Sequence, residues 1–245
     1  MKNREGLTVR QAAVIAGLGY LLNPVPYAEF VIYPKLVVAG HIDQTVANIT
    51  SHSGLFLAGI FCYLINFVGD IVITWALYLL LLPVNRAVSL LAAWFRLIYT
   101  AAGVVAMFNL VTVYRMLTTP QYLVLFGRDQ LNAQVDLLLH SFRYGWTFSL
   151  VIFCLHLFLV GALVFRSGYI PKIFGPVLVA DGLCLMNYEL QPYFWPNVDL
   201  GWLFLLTFAE LVFGLWLLIM GWTIREPATF RNDSGRTGTA LPPTA

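Results

Sequence analysis

From Gly54 to Leu82 the chain meets only one charged side chain, Asp70. A run this apolar exceeds the roughly 20 residues that cross a bilayer, and can do so at a tilt. Inside hydrocarbon every backbone polar group must be satisfied within the element, which leaves a helix. Comparable runs cover about Gln11–Tyr33, Ala87–Tyr114, Ser141–Phe165, Ile173–Leu190 and Leu200–Thr223. The expected fold is therefore all-α, an integral membrane bundle of about six transmembrane helices. Asn23-Pro24-Val25-Pro26 interrupts the first run. Two prolines so close should break or kink that helix.

Composition agrees with a single membrane domain over residues 11–224. Hydrophobic residues make up 60% and charged residues 11%, against about 25% charged in a soluble domain. Mean hydropathy is +0.78. Residues 1–10 read as a short polar terminus, and 225–245 as a disordered tail. A signal peptide is the rival reading of the basic start, but no A-x-A-like cleavage site follows at a suitable place. Asp129 can cap an amphipathic helix of about 129–140, with Leu131, Val135, Leu138, Leu139 and Phe142 on one face. That helix should lie on the outer surface or over the bundle. Asp43 can cap a second short helix in the 34–53 loop. Net charge of +2 and no basic patch interleaved with aromatics exclude a nucleic-acid partner. Cys62, Cys154 and Cys184 all fall in apolar stretches without zinc spacing, so they read as reduced packing residues. No cofactor is implied.

Lysine and arginine set the orientation. Nine of the 14 fall in the N-terminus, the Arg86 turn, the Arg166–Lys172 loop and the tail, four fall on the other side, and Arg96 lies within a span. The richer side should be cytoplasmic, which places both termini inside. No internal repeat is visible, which weakens an inverted-repeat transporter reading.

Five segments carry a resemblance: AVIAGLGYLL, TVANITSHSGLFLAGI, ALYLLLLPVNRAVSLLAAWFRLIYTA, LVGALVFRSGYIPKIFGPVL and ELVFGLWLLIMG. Together they resemble the bacterial membrane family called domain of unknown function 4386, over about residues 10 to 224. The PVNR…FR and RSGYIPKIFG blocks are the most specific parts. The resemblance implies a small multi-span protein of a bacterial cytoplasmic membrane and carries over no catalytic residue. Where the family is usually small and apolar after IPKIFG, this chain reads ADGLCLMNY, so Asp181 departs from the pattern.

Ionisable residues at membrane depth are costly and mark functional sites. Counted from the cytoplasmic end of each span, Asp70, Arg96, His156, Asp181 and Glu210 lie at depths between roughly 12 and 20 Å. Cys62, Asn66, Asp70, Thr74 and Tyr78 recur every four residues, so that stripe should face protein or water. Asp181, Cys184 and Tyr188 share a face in the fifth span. The tight Pro83–Arg86 turn makes the second and third spans antiparallel neighbours, so Arg96 can pair with Asp70. One arginine then faces three carboxylates, which would leave −2 if all were ionised and His156 neutral. Burying that charge is unfavourable. At least one carboxyl should be protonated, or a proton or cation shared. The bland reading is a structural Asp70–Arg96 pair, a hydrogen-bonded core histidine, and neutral acids bonded to backbone carbonyls.

A second polar set, Tyr27, Glu29, Asn187, Glu189 and Gln191, falls near the outer ends of the first and fifth spans. The broken backbone at Pro24 and Pro26 could line a cavity there; the alternative is an ordinary wet interface. His41, His52, His140 and Asp43 share this side without metal-ligand spacing, so no metal is expected. Gly54 with Ala58, and Gly17 with Gly19, could allow close helix approach.

No Ser/His/Asp triad, P-loop or dinucleotide fingerprint is present. Three functions remain. The first is a proton-coupled transporter of a small or lipidic ligand. Candidate acids are Asp70, Asp181 and Glu210, and ligand contacts come from Arg96, Asn66, His156, Tyr99, Tyr188, Glu189 and Glu29. The second is an intramembrane enzyme in which a neutral buried acid protonates a lipid or isoprenoid. Trp75, Tyr99, Phe153 and Tyr188 would then stabilise a cation. The third is a structural or accessory protein whose partner is the bilayer.

Overall fold

The computed structural model describes residues 7–224, and among them the regular elements are all helical. The first span is built in pieces. Helix α1 (Val9–Leu21) opens on a capping box between Thr8 and Gln11. It ends before Asn23, whose side chain accepts from the Val25 N–H at 2.9 Å. Then follow α2 (Val25–Tyr27), a π-helical turn (Ala28–Ile32) and α3 (Tyr33–Leu36). The break stands where the two prolines place it, because neither ring nitrogen can continue the ladder.

Helix α4 (Ile42–Ser51) leads into α5 (Ser53–Leu81). Asp43 is not the cap of α4; His41 holds that position, and Asp43 accepts from Asn132 Nδ2 at 2.6 Å. After the Pro83 turn, α6 (Arg86–Thr118) starts on Asn85, whose side chain accepts from the Val88 N–H at 3.1 Å. Ser89 Oγ donates to the Tyr78 carbonyl at 3.0 Å and clips α6 to α5.

Helix α7 (Pro120–Ser167) contains one non-helical residue, Gly127, at φ +69°. Two helices meet at this kink; the second opens just before Asp129, which lies in its first turn rather than at its cap, and carries 129–140 on without a break into the fourth span. Leu131, Val135, Leu139 and Phe142 face inward, as their spacing requires. Gly168, at φ +71°, closes α7 in the left-handed conformation that favours glycine. Next to it the Tyr169 hydroxyl donates to the Leu80 carbonyl at 2.5 Å. The two most specific sequence blocks meet at this end of the bundle, where Pro83, Val84 and Asn85 share a small pocket with Arg166, Ser167 and Tyr169.

Helix α8 (Phe174–Phe194) packs along α7. The last span starts where its apolar pattern suggests, but its α-helical part begins later. A 3-10 turn (Gly201–Leu206) precedes α9 (Ala209–Met220). The α1–α9 contact is close: a Cβ on Gly17 would lie 2.5 Å from the Leu218 nitrogen, and one on Gly214 would lie 2.5 Å from Tyr20 Cβ. Gly19 meets Ile73 in the same way, whereas Gly54 faces open space.

Among the described residues five segments are long and apolar enough to cross a membrane: Val9–Leu36, Ser53–Leu81, Arg86–Thr118, Val124–Ser167 and Gly201–Thr223. Helix α8 is long enough, at roughly 31 Å, but Asp181, Asn187, Glu189 and Gln191 make it less apolar than the others. Outward faces carry Phe61, Ile65, Val68, Ile71 and Trp75 on α5, and Leu90, Trp94, Ile98 and Val105 on α6. Asn66, Asp70, Thr74, Arg96 and Thr100 are turned inward. A helix apolar outside and polar inside fits lipid as its solvent.

Candidate functional site

Arg96 stands at the centre of the bundle, 3% exposed. Its Nε and Nη2 both donate to Asp70 Oδ1, at 3.1 and 2.6 Å. Its Nη1 donates to Glu210 Oε1 at 2.8 Å and to the Tyr20 hydroxyl at 3.1 Å. The guanidinium carbon lies 5.2 Å from the Tyr20 ring centre and 5.1 Å from that of Phe153. A planar cation held edge-on by two carboxylates and face-on by two rings combines charge-assisted hydrogen bonds with cation–π contact. Helices α1, α5, α6, α7 and α9 all contribute.

The second carboxylate oxygen of Asp70 accepts from Asn66 Nδ2 at 3.0 Å, one helical turn earlier on the same stripe. Cys62 and Tyr78, at the ends of that stripe, are only partly buried. Thr100 and Thr74 return their hydroxyls to the carbonyls of Arg96 and Asp70. His156 Nδ1 lies 2.9 Å from the Ala92 carbonyl and Nε2 lies 3.3 Å from Arg96 Nη1. The tautomer that satisfies both contacts carries its proton on Nδ1 and offers Nε2 as acceptor, so the imidazole is neutral.

Asp181 takes a different part. Its Oδ2 accepts from the backbone N–H of Glu210 at 3.0 Å, in the first turn of α9. No side chain of α9's own N-cap residue does this. Asp181 therefore caps α9 from the neighbouring helix, satisfying an orphan donor where the helix dipole favours negative charge. It is bonded to a backbone N–H and not to a carbonyl.

The outer set is also built. Arg143 Nη1 and Nη2 donate to Glu29 Oε2 at 3.1 and 3.2 Å, and Tyr63 donates its hydroxyl to Glu29 Oε1. Arg143 rests over Tyr33 and Phe142. Glu189 Oε2 accepts from Thr147 Oγ1 at 2.7 Å. Asn187 bonds within its own helix, to the Leu183 carbonyl, and Gln191 to the Val198 carbonyl.

A cavity of about 320 Å³ joins these two sets. Glu29, Arg143 and Glu189 line it at one level, Tyr20 and Glu210 at the other, and Asn23, Val25 and Pro26 of the broken span form part of the wall. Apart from Thr207 the rest is apolar and aromatic, with Trp146, Tyr188, Phe204 and Phe208. Glu210, 18% exposed, belongs both to the cavity and to the Arg96 network. Phe30 and Leu211 line the cavity while lying 56% and 39% exposed, so its mouth opens between the first and last spans. On the far side of Arg96, a space of about 10 Å³ is bordered by His156, Thr74, Tyr78 and Ser89.

Several candidates stay outside this arrangement. Trp75 is 48% exposed on the outward face of α5. Tyr99 is buried against Trp146 and Phe153. Tyr27 is exposed. Among the described residues no three His, Cys, Asp or Glu side chains gather as metal ligands. His140 lies beside Asp136 and His52 beside the Asn48 carbonyl. Sequence reasoning did not single out Tyr20, Arg143, Trp146 or Thr147 as site residues. The signal available was the inward stripe Phe142, Trp146, Ser149, Phe153, His156 on α7, at helical spacing.

The family described as Domain of unknown function (DUF4386) matches residues 15–221. An uncharacterized protein of Archaeoglobus fulgidus is 30% identical over 170 residues, covering 69% of this chain and 86% of the relative. No solved structure matches.

Proposed function

The chain belongs to the family described as Domain of unknown function (DUF4386), and from that premise we propose that it is a proton-coupled transporter of a small or lipidic ligand. It resides in a bacterial cytoplasmic membrane with both termini inside. Helix α8 crosses as the sixth span, and the domain runs over residues 11–224. The Arg86 turn and the Arg166–Lys172 loop face the cytoplasm, so the cavity opens in the outer half.

One observation carries the reading: Glu210 places one carboxylate in both the cavity and the buried Arg96 network. With Asp70 and Glu210 both ionised, the Arg96 group holds −1. A proton on Glu210 makes it neutral, and a cation elsewhere in the adjoining cavity offsets the same charge. Proton and ligand thus compete for the same low-dielectric charge. Asp181, one backbone bond away, adds to the pressure for a shared proton. Tyr20 and His156 keep Arg96 in place while Glu210 changes partner.

The enzyme reading draws less support. Of its four candidate cation-stabilising rings, only Tyr188 lines the cavity. Phe153 is already stacked on Arg96.

Proteoliposomes with an internal pH dye test the transport reading. Addition of a panel of small amphiphiles is expected to find a compound whose entry moves protons, and Glu210→Gln should abolish that movement. Accumulation that ignores an imposed pH gradient would contradict it.

A further inference from the structure

We infer that the cavity takes an organic ammonium with an apolar body, seated on Glu189. This rests on the cavity being the ligand site of the transport reading and adds the chemical class.

The argument starts from the charges around the cavity. Glu29 is occupied: it receives two donors from Arg143 and the Tyr63 hydroxyl. Glu210 is occupied by Arg96. Glu189 is not matched in the same way. It accepts one neutral hydrogen bond, from Thr147 at 2.7 Å. Among the described residues no Lys, Arg or His nitrogen lies within 4.0 Å of it. A carboxylate in a largely apolar cavity, lacking a cation, leaves its site electrostatically incomplete.

The walls specify what completes it. Trp146, Tyr188, Phe204 and Phe208 surround the space. Ring faces attract an ammonium, more strongly once it is desolvated. A carboxylate with several rings therefore recognises an amine and its hydrocarbon together. An anion would meet three glutamates there against a single, already paired Arg143. A strongly hydrated inorganic cation would gain little from rings and leucines. At about 320 Å³ the space lies at the low end of ligand pockets, so the occupant is small.

The mouth agrees with an apolar body. Phe30 and Leu211 flank it, and Leu22, Leu206, Val212 and Leu215 of the same two spans are also exposed. Phe30 and Phe204, both in the cavity wall, touch edge to face with ring centres 5.6 Å apart. An amphiphilic amine dissolved among lipid chains reaches this opening without crossing water.

The test is calorimetric binding to the full-length protein in lipid nanodiscs, with phenethylamine, phenethyl alcohol and hydrocinnamate as probes. Phenethylamine is expected to bind saturably, roughly tenfold or more tighter than the alcohol, because a charge-assisted hydrogen bond replaces a neutral one. Hydrocinnamate should be weakest. Glu189→Gln should remove the preference for the amine, and Glu189→Asp should retain it, which guards against a fold defect. Equal binding of amine and alcohol, or an amine preference that survives Glu189→Gln, overturns the ammonium class while leaving the cavity as a ligand site. If none of the three binds, both the ammonium class and the cavity's role in transport fall.

Discussion

At the level of single residues, Arg96 holds the centre together. It offers donors to Asp70, Glu210, Tyr20 and His156 and its faces to two rings. Arg96→Met would strand the buried Asp70 and the half-buried Glu210, and removing one partner of a buried pair costs about 3–5 kcal/mol. Thermal unfolding in micelles should show this as a larger loss than Glu210→Gln, which leaves the Asp70 pair intact. Asp181 predicts a different pattern. As a cap on α9, Asp181→Ala should cost about 1 kcal/mol, and Asp181→Asn much less because an amide oxygen also caps. Equal losses for the two would argue against capping. The Asp70–Arg96 pair was legible in the sequence because a four-residue stripe and a tight turn fix both depth and neighbour. The Asp181 role was not, because it depends on α9 starting at Ala209, well inside an apolar run with no helix-start signal. Tyr20, Arg143 and Thr147 were hidden for another reason: their partners lie 42 or more residues away, and only packing brings them together.

At the level of elements, the first span is the informative one. Its two pieces differ in task. Helix α1 is pressed against α9 through Gly17 and Gly214, while the broken part beyond Asn23 walls the cavity. Gly17→Val would drive a side chain into the Leu218 backbone, and such overpacking typically costs about 1–3 kcal/mol. Gly54→Ala, with nothing within 4 Å, should leave unfolding nearly unchanged. Paired melting curves check both, and a harmless Gly17→Val would refute the close contact. Sequence alone gave Gly17 and Gly54 the same weight, since spacing cannot say which face of a helix meets a neighbour. The amphipathic stretch 129–140 shows the converse. Its inward face was readable from period, but its continuity with the fourth span was not, because nothing in the pattern marks where one helix stops.

For the whole molecule, apolar length and the inside-out distribution of polarity were readable from the start, because lipid admits few alternatives to a helix. The cavity was foreshadowed only by the prolines. Its polar lining comes from both expected clusters, which the sequence could place by depth but not by azimuth around the bundle axis. The proposed topology predicts accessibility. In a cysteine-free background, Lys35→Cys should react with an impermeant maleimide on intact cells, and Lys172→Cys only after permeabilisation. The reverse pattern would move the cavity to the cytoplasmic half.

The central claim is that the acids around Arg96 outnumber its charge and hold an extra proton. Carboxyl infrared spectra of the protein in lipid at neutral pH test it most directly. A protonated-carboxyl band is expected, reduced in Glu210→Gln or Asp181→Asn. Spectra in which Asp70, Asp181 and Glu210 are all ionised would contradict the account.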